Sequence, residues 1–384
     1  MKDKILKVLS YILVAAAASA VSFALCTGTT LSRINKLEQL SNLIQQQFIG
    51  DLNVKEMEDA AAAAMVDSLG DRWSYYLTAE EYVSHMEQMN NAYVGIGVTI
   101  SETEDGTAVE ILKVEPNSPA QEAGILPGDW IVGVEGLDVA DMTTTDLRNV
   151  VRGEEGTFVV LTMKRDGEVF DLSVERRKVE TAVATGVMLD NQVGLVTIAN
   201  FDSRCASESV AAIESLLEQG AQALIFDVRN NPGGYKDELV ELLDYLLPEG
   251  VLFRSEDYKG KVQVDESDAK CLEMPMAVLV NENSYSAAEF FAAALAEYDW
   301  AIVAGTQTVG KGYFQVTYKL SDGSGVGLSI GKYNTPEGEN LQDVGITPEI
   351  LVEVDDETYY AIYAGALEPQ EDPQIQAAMD ALLP

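Results

Sequence analysis

From Val193 onward the chain alternates continuous apolar runs with amphipathic stretches, and no other feature narrows its fold as far. "VGLVTIANF" (193–201) reads as a strand and "ASESVAAIESLLEQG" (206–220) as a helix closed by Gly220. "ALIFDVR" (223–229) is apolar without alternation, the mark of a strand buried on both faces. The helix "KDELVELLDYLL" (236–247), the strand "MAVLV" (276–280), a helix from Ala287 and the strand "AIVAGTQ" (301–307) follow. This order implies a parallel sheet covered by helices, in which ligands bind beyond the carboxyl ends of the strands.

Two unusual loops leave such ends: "NNPGG" (230–234) and "NENSYS" (281–286). Ser286 sits at a strand-to-helix seam, where free backbone N–H groups and a partial positive charge favour a nucleophile. The plainer alternative is that Ser284 or Ser286 caps the helix. Gly233 and Gly234 let the backbone approach a ligand, and with the N–H of Ala287 they can form an oxyanion hole. Read alone, PGG is an ordinary turn.

The base for such a serine is constrained by composition. The single histidine, His85, lies about 200 positions upstream, and Cys26, Cys205 and Cys271 lack metal-ligand spacing, so no metal site is implied. Lys311, in "GTQTVGKGYFQ", is the alternative. The run fits a phosphate loop up to Gly312, which stands where that motif needs Ser or Thr. As a base Lys311 needs its pKa lowered by roughly 3 units, about 4 kcal/mol, within the reach of burial. Gln315 can orient the amine without adding charge; Glu297 competes for that place, but its charge would hold the lysine protonated.

The N-terminus carries three lysines and then 19 uncharged residues, Val8 to Cys26. As a helix this run is about 28 Å long, near the ~30 Å hydrocarbon core of a bilayer. The lysines place its start in the cytoplasm and the rest of the chain outside. A cleaved signal peptide ending near "ASA" (18–20) is the alternative. With 63 acidic against 25 basic residues the formal charge is −38, which disfavours nucleic acid as a partner. Cys205 and Cys271 can pair outside the cell, but their spacing does not require it.

After the anchor come "SRINKLEQLSNLIQQQFIG" and "NVKEMEDAAAAAMVDSLG", apolar at helical spacing and ending at Gly50 and Gly70. From Tyr93 short β-type runs punctuated by Gly and Pro form a small β-rich module. The tail "EPQEDPQIQAAMDALLP" ends in one amphipathic helix.

Taken in order, "YVGIGVTI", "NSPAQEAGILPGDWIVGVEG", "VRGEEGT", "LIFDVRNNPGG", "VLVNENSYSAAEFFAAAL" and "VGKGYFQ" resemble the carboxyl-terminal processing proteases, PDZ-containing serine peptidases with a Ser-Lys pair. "GDRWSYYLTAEEY" (70–82) resembles the family's segment ahead of the PDZ domain. The resemblance implies an α/β fold: a crotonase-like, ClpP-like protease core with an inserted PDZ domain and an N-terminal helical segment, to which the uncharged run adds one N-terminal transmembrane helix. Its expected bounds are a stub and anchor over 1–30, helices over 31–91, PDZ over 92–178, core over 179–355 and a helical tail over 356–384.

By position, the resemblance makes Ser286 the nucleophile, Lys311 the base and Gln315 the third residue. It assigns the oxyanion hole to Ala287 with Gly233 or Gly234. The family's nucleophile motif reads SASASE, so Tyr285 and Ala288 depart from it while Ser286 and Glu289 keep it. The PDZ loop Val94, Gly95, Ile96 and Gly97 is expected to bind a free C-terminal carboxylate while an edge strand takes up the peptide. Arg152 is a candidate for coupling the PDZ domain to the active site. The expected partners are peptides with free C-termini, the membrane and a second copy in a homodimer; no cofactor is implied. A non-catalytic PDZ scaffold on a decayed core and a crotonase-like acyl-thioester enzyme are the competing classes.

Overall fold

The computed structural model describes residues 36–103, 106–363 and 367–382. The expected cytoplasmic stub and transmembrane helix lie outside them. Among the described residues no helix is long and apolar enough to cross a membrane. The chain divides after Gly70 into two units. The first contains helices over 36–47 and Val54–Asp67, the second capped by Asn53, whose side chain accepts the Glu56 N–H.

The second unit is built on a six-stranded sheet in the order Ala184–Met188, Val193–Ile198, Ala223–Asp227, Met276–Val280, Ala301–Gly305 and Ile350–Leu351. Its first pair is antiparallel and the rest are parallel. The apolar runs lack alternation because both faces are covered. Val196, Leu224, Phe226, Val278 and Val280 pack under helices Cys205–Glu218, Lys236–Leu246 and Ala287–Glu297. Leu195, Ile225, Ala277 and Leu279 face Ile375, Ala378 and Met379 of the terminal helix Pro373–Leu382. The tail holds a further helix, Asp356–Tyr363, where one helix was expected.

A second sheet has no local signature in the sequence. Gly325–Asn334 pairs with Tyr75–Leu77, Gly250–Asp257 and Tyr313–Lys319, and Gly250–Asp257 pairs with Val262–Ser267, all antiparallel. Residues 71–89 therefore belong with the core rather than with the helices before Gly70. Helix Ala79–Met89 follows, opened by a capping box between Thr78 and Glu81.

The β-rich module has strands Val98–Glu102, Val109–Val114, Trp130–Val134, Phe158–Arg165 and Glu168–Glu175, with Leu137–Asp138 on Trp130–Val134. Its core holds Ile111, Ile131, Leu147, Leu161 and Met163, none of them exposed beyond 1%. Ala92–Gly95 pairs with Arg177–Glu180, joining the strands by which the chain enters and leaves. Cys205 and Cys271 are free thiols, and burial pushes the Cys205 thiol up.

Candidate active site

Ser286 leads into helix Ala287–Glu297 with φ 60° and ψ −121°, a region that non-glycine residues seldom adopt and that strained strand-to-helix turns use. Neighbouring bonds hold it there. Ser284 is fully buried; its Oγ donates to the Val228 carbonyl (2.7 Å) and accepts the Asn281 N–H (3.0 Å). The Tyr285 N–H donates to the Asn231 carbonyl (3.2 Å). Ser284 thus ties the turn to the neighbouring strand end, and Ser286 occupies the cap position.

The two loops touch at Gly233. Its φ is 86°, and a Cβ there would stand 2.8 Å from the Ala287 nitrogen and 2.8 Å from Ser286 Cβ, so a side chain would part them. Of the expected oxyanion donors, the Gly233 N–H is bonded to Asn231 Oδ1 (2.8 Å). Gly234 forms an isolated parallel bridge with Phe201. The Ala287 N–H is the first of its helix, with no intrahelical acceptor.

Lys311 comes from the loop after Ala301–Gly305, and that loop wraps around one buried carboxylate. Glu289 Oε1 accepts the Gly310 N–H (2.7 Å) and the Thr308 hydroxyl. Glu289 Oε2 accepts the N–H of Ser286 (3.1 Å) and of Lys311 (2.9 Å). Burial raises the Glu289 carboxyl while these bonds oppose the rise. Burial pushes Lys311 down to about 8, against the carboxylates of Glu289 and Asp71. Its Nζ lies 4.9 Å from the Trp73 ring centre and 5.6 Å from that of Tyr285. No hydrogen bond joins Nζ to Ser286. The buried Tyr333 phenol, raised by burial, donates to the Lys311 carbonyl and lies within reach of the Ser286 side chain.

The Gln315 amide donates to the Tyr313 carbonyl (3.1 Å) and Ser329 Oγ (3.0 Å), with no bond to Lys311. A register shift at Phe314/Gln315 turns it toward Ser329. Glu297, at the far end of helix Ala287–Glu297, accepts the Glu337 N–H (2.8 Å). His85 is brought close despite its sequence distance: its pKa is lowered by burial and then by the Lys311 charge, and its Nε2 lies 3.3 Å from Tyr75 Oη.

A groove of about 290 Å3 crosses the β-rich module, lined by Gly95, Ile96, Gly97, Leu147, Arg148 and Arg152. Val94 is instead a ladder residue opposite Lys178. Arg152 pairs with Glu87 at 2.6 Å and stacks over Tyr93.

Glu289, Trp73 and Tyr333 join the site without having been expected there from the sequence. S-x-x-E at 286–289 is a capping-box signature and pointed to Glu289; nothing local marked the other two.

A helix-covered α/β core with a serine at its strand-to-helix turn, preceded by a β-rich module that carries a groove, is a build that serine-type peptidases use. The model of peptidase family S41 matches residues 192–352, and that of the PDZ domain matches 110–165. The carboxy-terminal processing protease CtpA of Bacillus subtilis is 34% identical over 331 residues, spanning 85% of this chain and 70% of that protein. A CtpA-like serine protease assignment in Staphylococcus aureus is 31% identical, with 85% and 66% covered. The crystal structure of a candidate S41 protease from Bacteroides fragilis shares the fold at 17% identity, with a TM-score of 0.56 over 90% of this chain and 98% of that one. This chain belongs to peptidase family S41, the carboxyl-terminal processing proteases with a PDZ domain.

Proposed function

We propose that the protein is a membrane-anchored, extracytoplasmic endopeptidase that takes substrates by their free C-termini in the PDZ groove and cuts them at Ser286. The observation that carries this reading is the Glu289 carboxylate, which bonds the backbone N–H groups of both Ser286 and Lys311 and so keeps nucleophile and base loops in one frame. Neutral Lys311 takes the Ser286 proton as Oγ attacks the scissile carbonyl. The oxyanion goes to the Ala287 N–H, joined by Gly233 once Asn231 releases it. The lysine ammonium then protonates the leaving amine, and water hydrolyses the acyl-enzyme. Gln315 orients the amine after leaving Ser329.

The apolar run from Val8 to Cys26 supplies the anchor, and Leu37, Leu40 and Leu43, each about half exposed, support pairing with a second copy. Groove occupancy acts on the site through Arg152 and Glu87. Glu87 shares helix Ala79–Met89 with His85, whose titration is coupled to the Lys311 charge.

Hydrolysis of a peptide with a free C-terminus tests the reading. Ser286→Ala abolishes it, Lys311→Ala lowers it by about a hundred- to ten-thousand-fold, and Gln315→Ala lowers it by roughly ten-fold. A fluorophosphonate probe labels Ser286. Peptide binding without labelling or turnover would identify the chain as a non-catalytic PDZ scaffold.

A further inference from the structure

We propose that Trp73 and Tyr285 are positioning residues whose rings hold the Lys311 amine in the resting enzyme, as a cation and apart from Ser286. The inference rests on Lys311 being the general base. The two rings stack with centres 6.1 Å apart and planes 25° apart. Nζ lies 4.9 and 5.6 Å from those centres, within reach of both rings at once. An ammonium within about 6 Å of an aromatic face is attracted by the ring quadrupole, and a neutral amine is not. The contact therefore favours the protonated form, which cannot act as a base.

Two features mark the pair as more than packing. Tyr285 immediately precedes Ser286, and its N–H is bonded to the Asn231 carbonyl (3.2 Å), so its ring is held by the same turn that sets the serine. Trp73 arrives from the segment ahead of the PDZ domain, and its Nε1 is buried with no hydrogen-bond partner. Leaving such a donor unsatisfied is costly, so its own hydrogen bonding does not determine where the indole sits. The ring also receives the Arg72 guanidinium, 4.4 Å from its centre, and Arg72 donates to the Gly310 carbonyl (2.9 Å) in the base loop. Tyr285 acts as a neutral face, because burial raises its phenol.

Other charged and titratable groups bear on the amine. Glu289 from the nucleophile helix and Asp71 from the incoming segment favour its proton, and His85 from helix Ala79–Met89 is coupled to its charge. Arg72 lies on Trp73, Tyr75 is coupled to Tyr285, and Tyr333 holds the Lys311 carbonyl. Leucine at either position keeps apolar cover over the amine, so its burial is retained, and removes the ring attraction that favours the cation.

The test is the pH dependence of kcat/KM and kcat for one peptide substrate, from about pH 6 to about pH 10, in wild type, Tyr285→Leu, Tyr285→Phe, Trp73→Leu and Lys311→Ala. The acidic limb of kcat/KM reports the free enzyme, where the cage is occupied, and the limb of kcat reports the complex, where the amine has moved to Ser286. In Tyr285→Leu and Trp73→Leu the first limb is expected to fall by about one pH unit, with up to about ten-fold more activity on its acid side, while the second stays in place. Tyr285→Phe keeps the ring and the wild-type limb. A uniform loss of kcat/KM with an unmoved limb overturns the proposal and leaves the base assignment intact, provided that Lys311→Ala is inactive. An active Lys311→Ala with the wild-type profile overturns both. If Trp73→Leu does not fold, Tyr285→Leu decides alone, since it leaves Trp73 and the Arg72 guanidinium on it in place.

Discussion

Lys311 is a cation kept where a cation is costly, and its cost is measurable apart from catalysis. Burial brings the folded pKa to about 8, below the 10.5 ordinary for lysine. Below pH 8 both folded and unfolded chains hold the proton, and the folded state bears the full penalty, of order 3 kcal/mol. Between about 8 and 10.5 the folded chain has released a proton that the unfolded chain still binds, so stability rises with pH across that window. In a Ser286→Ala background, which prevents self-cleavage, Lys311→Met keeps the stem and removes the charge. The double variant should melt higher than Ser286→Ala near pH 7 in scanning fluorimetry, with the gap closing toward pH 10. The gain falls short of the full penalty because Met leaves the Trp73 and Tyr285 rings without their cation. A double variant that melts lower by a constant amount at every pH would mean that Lys311 is not held against its charge.

At the scale of elements, the PDZ groove depends on one close approach. Gly97 has φ 84°, and a Cβ there would lie 2.3 Å from Ser118 Cβ, at the cap of the short helix Pro119–Glu122. Gly97→Ala should therefore lower the melting temperature and peptide affinity together, because it wedges the groove floor from that helix. Amidating the peptide's C-terminus should lower affinity alone, by about ten-fold or more, since it removes the charge that the loop's N–H groups are proposed to receive. Equal affinity for free and amidated peptides in a titration would end the carboxylate assignment. The parallel sheet was legible in the sequence because strands such as Ala223–Asp227 and Met276–Val280 are buried on both faces and read as unbroken apolar runs. The antiparallel sheet was not: Val262–Ser267 and Tyr313–Lys319 mix exposed valines with charged and polar residues, and their meaning lies in their partners. Ser286, Lys311 and the glycine loop stand at strand ends, where the βα order alone directs attention. The placement of Trp73 and His85 beside Lys311 depends on Tyr75–Leu77 pairing with Gly325–Gly327, roughly 250 residues away, which no local pattern records.

Across the whole molecule the dominant quantity is charge, −38 in 384 residues. A field of that sign repels the carboxylate-ended peptides that the groove is proposed to take. The local counterweight is small: Arg148 and Arg152 line the groove beside Glu115, and Arg152 is already paired with Glu87. Capture of a C-terminus therefore depends on short-range N–H donors and burial, while the long-range field sets the encounter rate according to the charge on the rest of the substrate. Two peptides with the same scissile bond and the same C-terminal residues, one lysine-rich upstream and one glutamate-rich, separate these contributions. At about 0.01 M salt the Debye length is roughly 30 Å and the field reaches the incoming chain; at about 1 M it is roughly 3 Å and the field is screened. The lysine-rich peptide should show the higher kcat/KM at low salt, by about ten-fold or more, and the two values should converge at high salt. kcat should differ little at either salt, since encounter is complete by then. A difference of the same size at both salts would place the preference in local contacts along the groove, and the net charge would have no part in substrate choice.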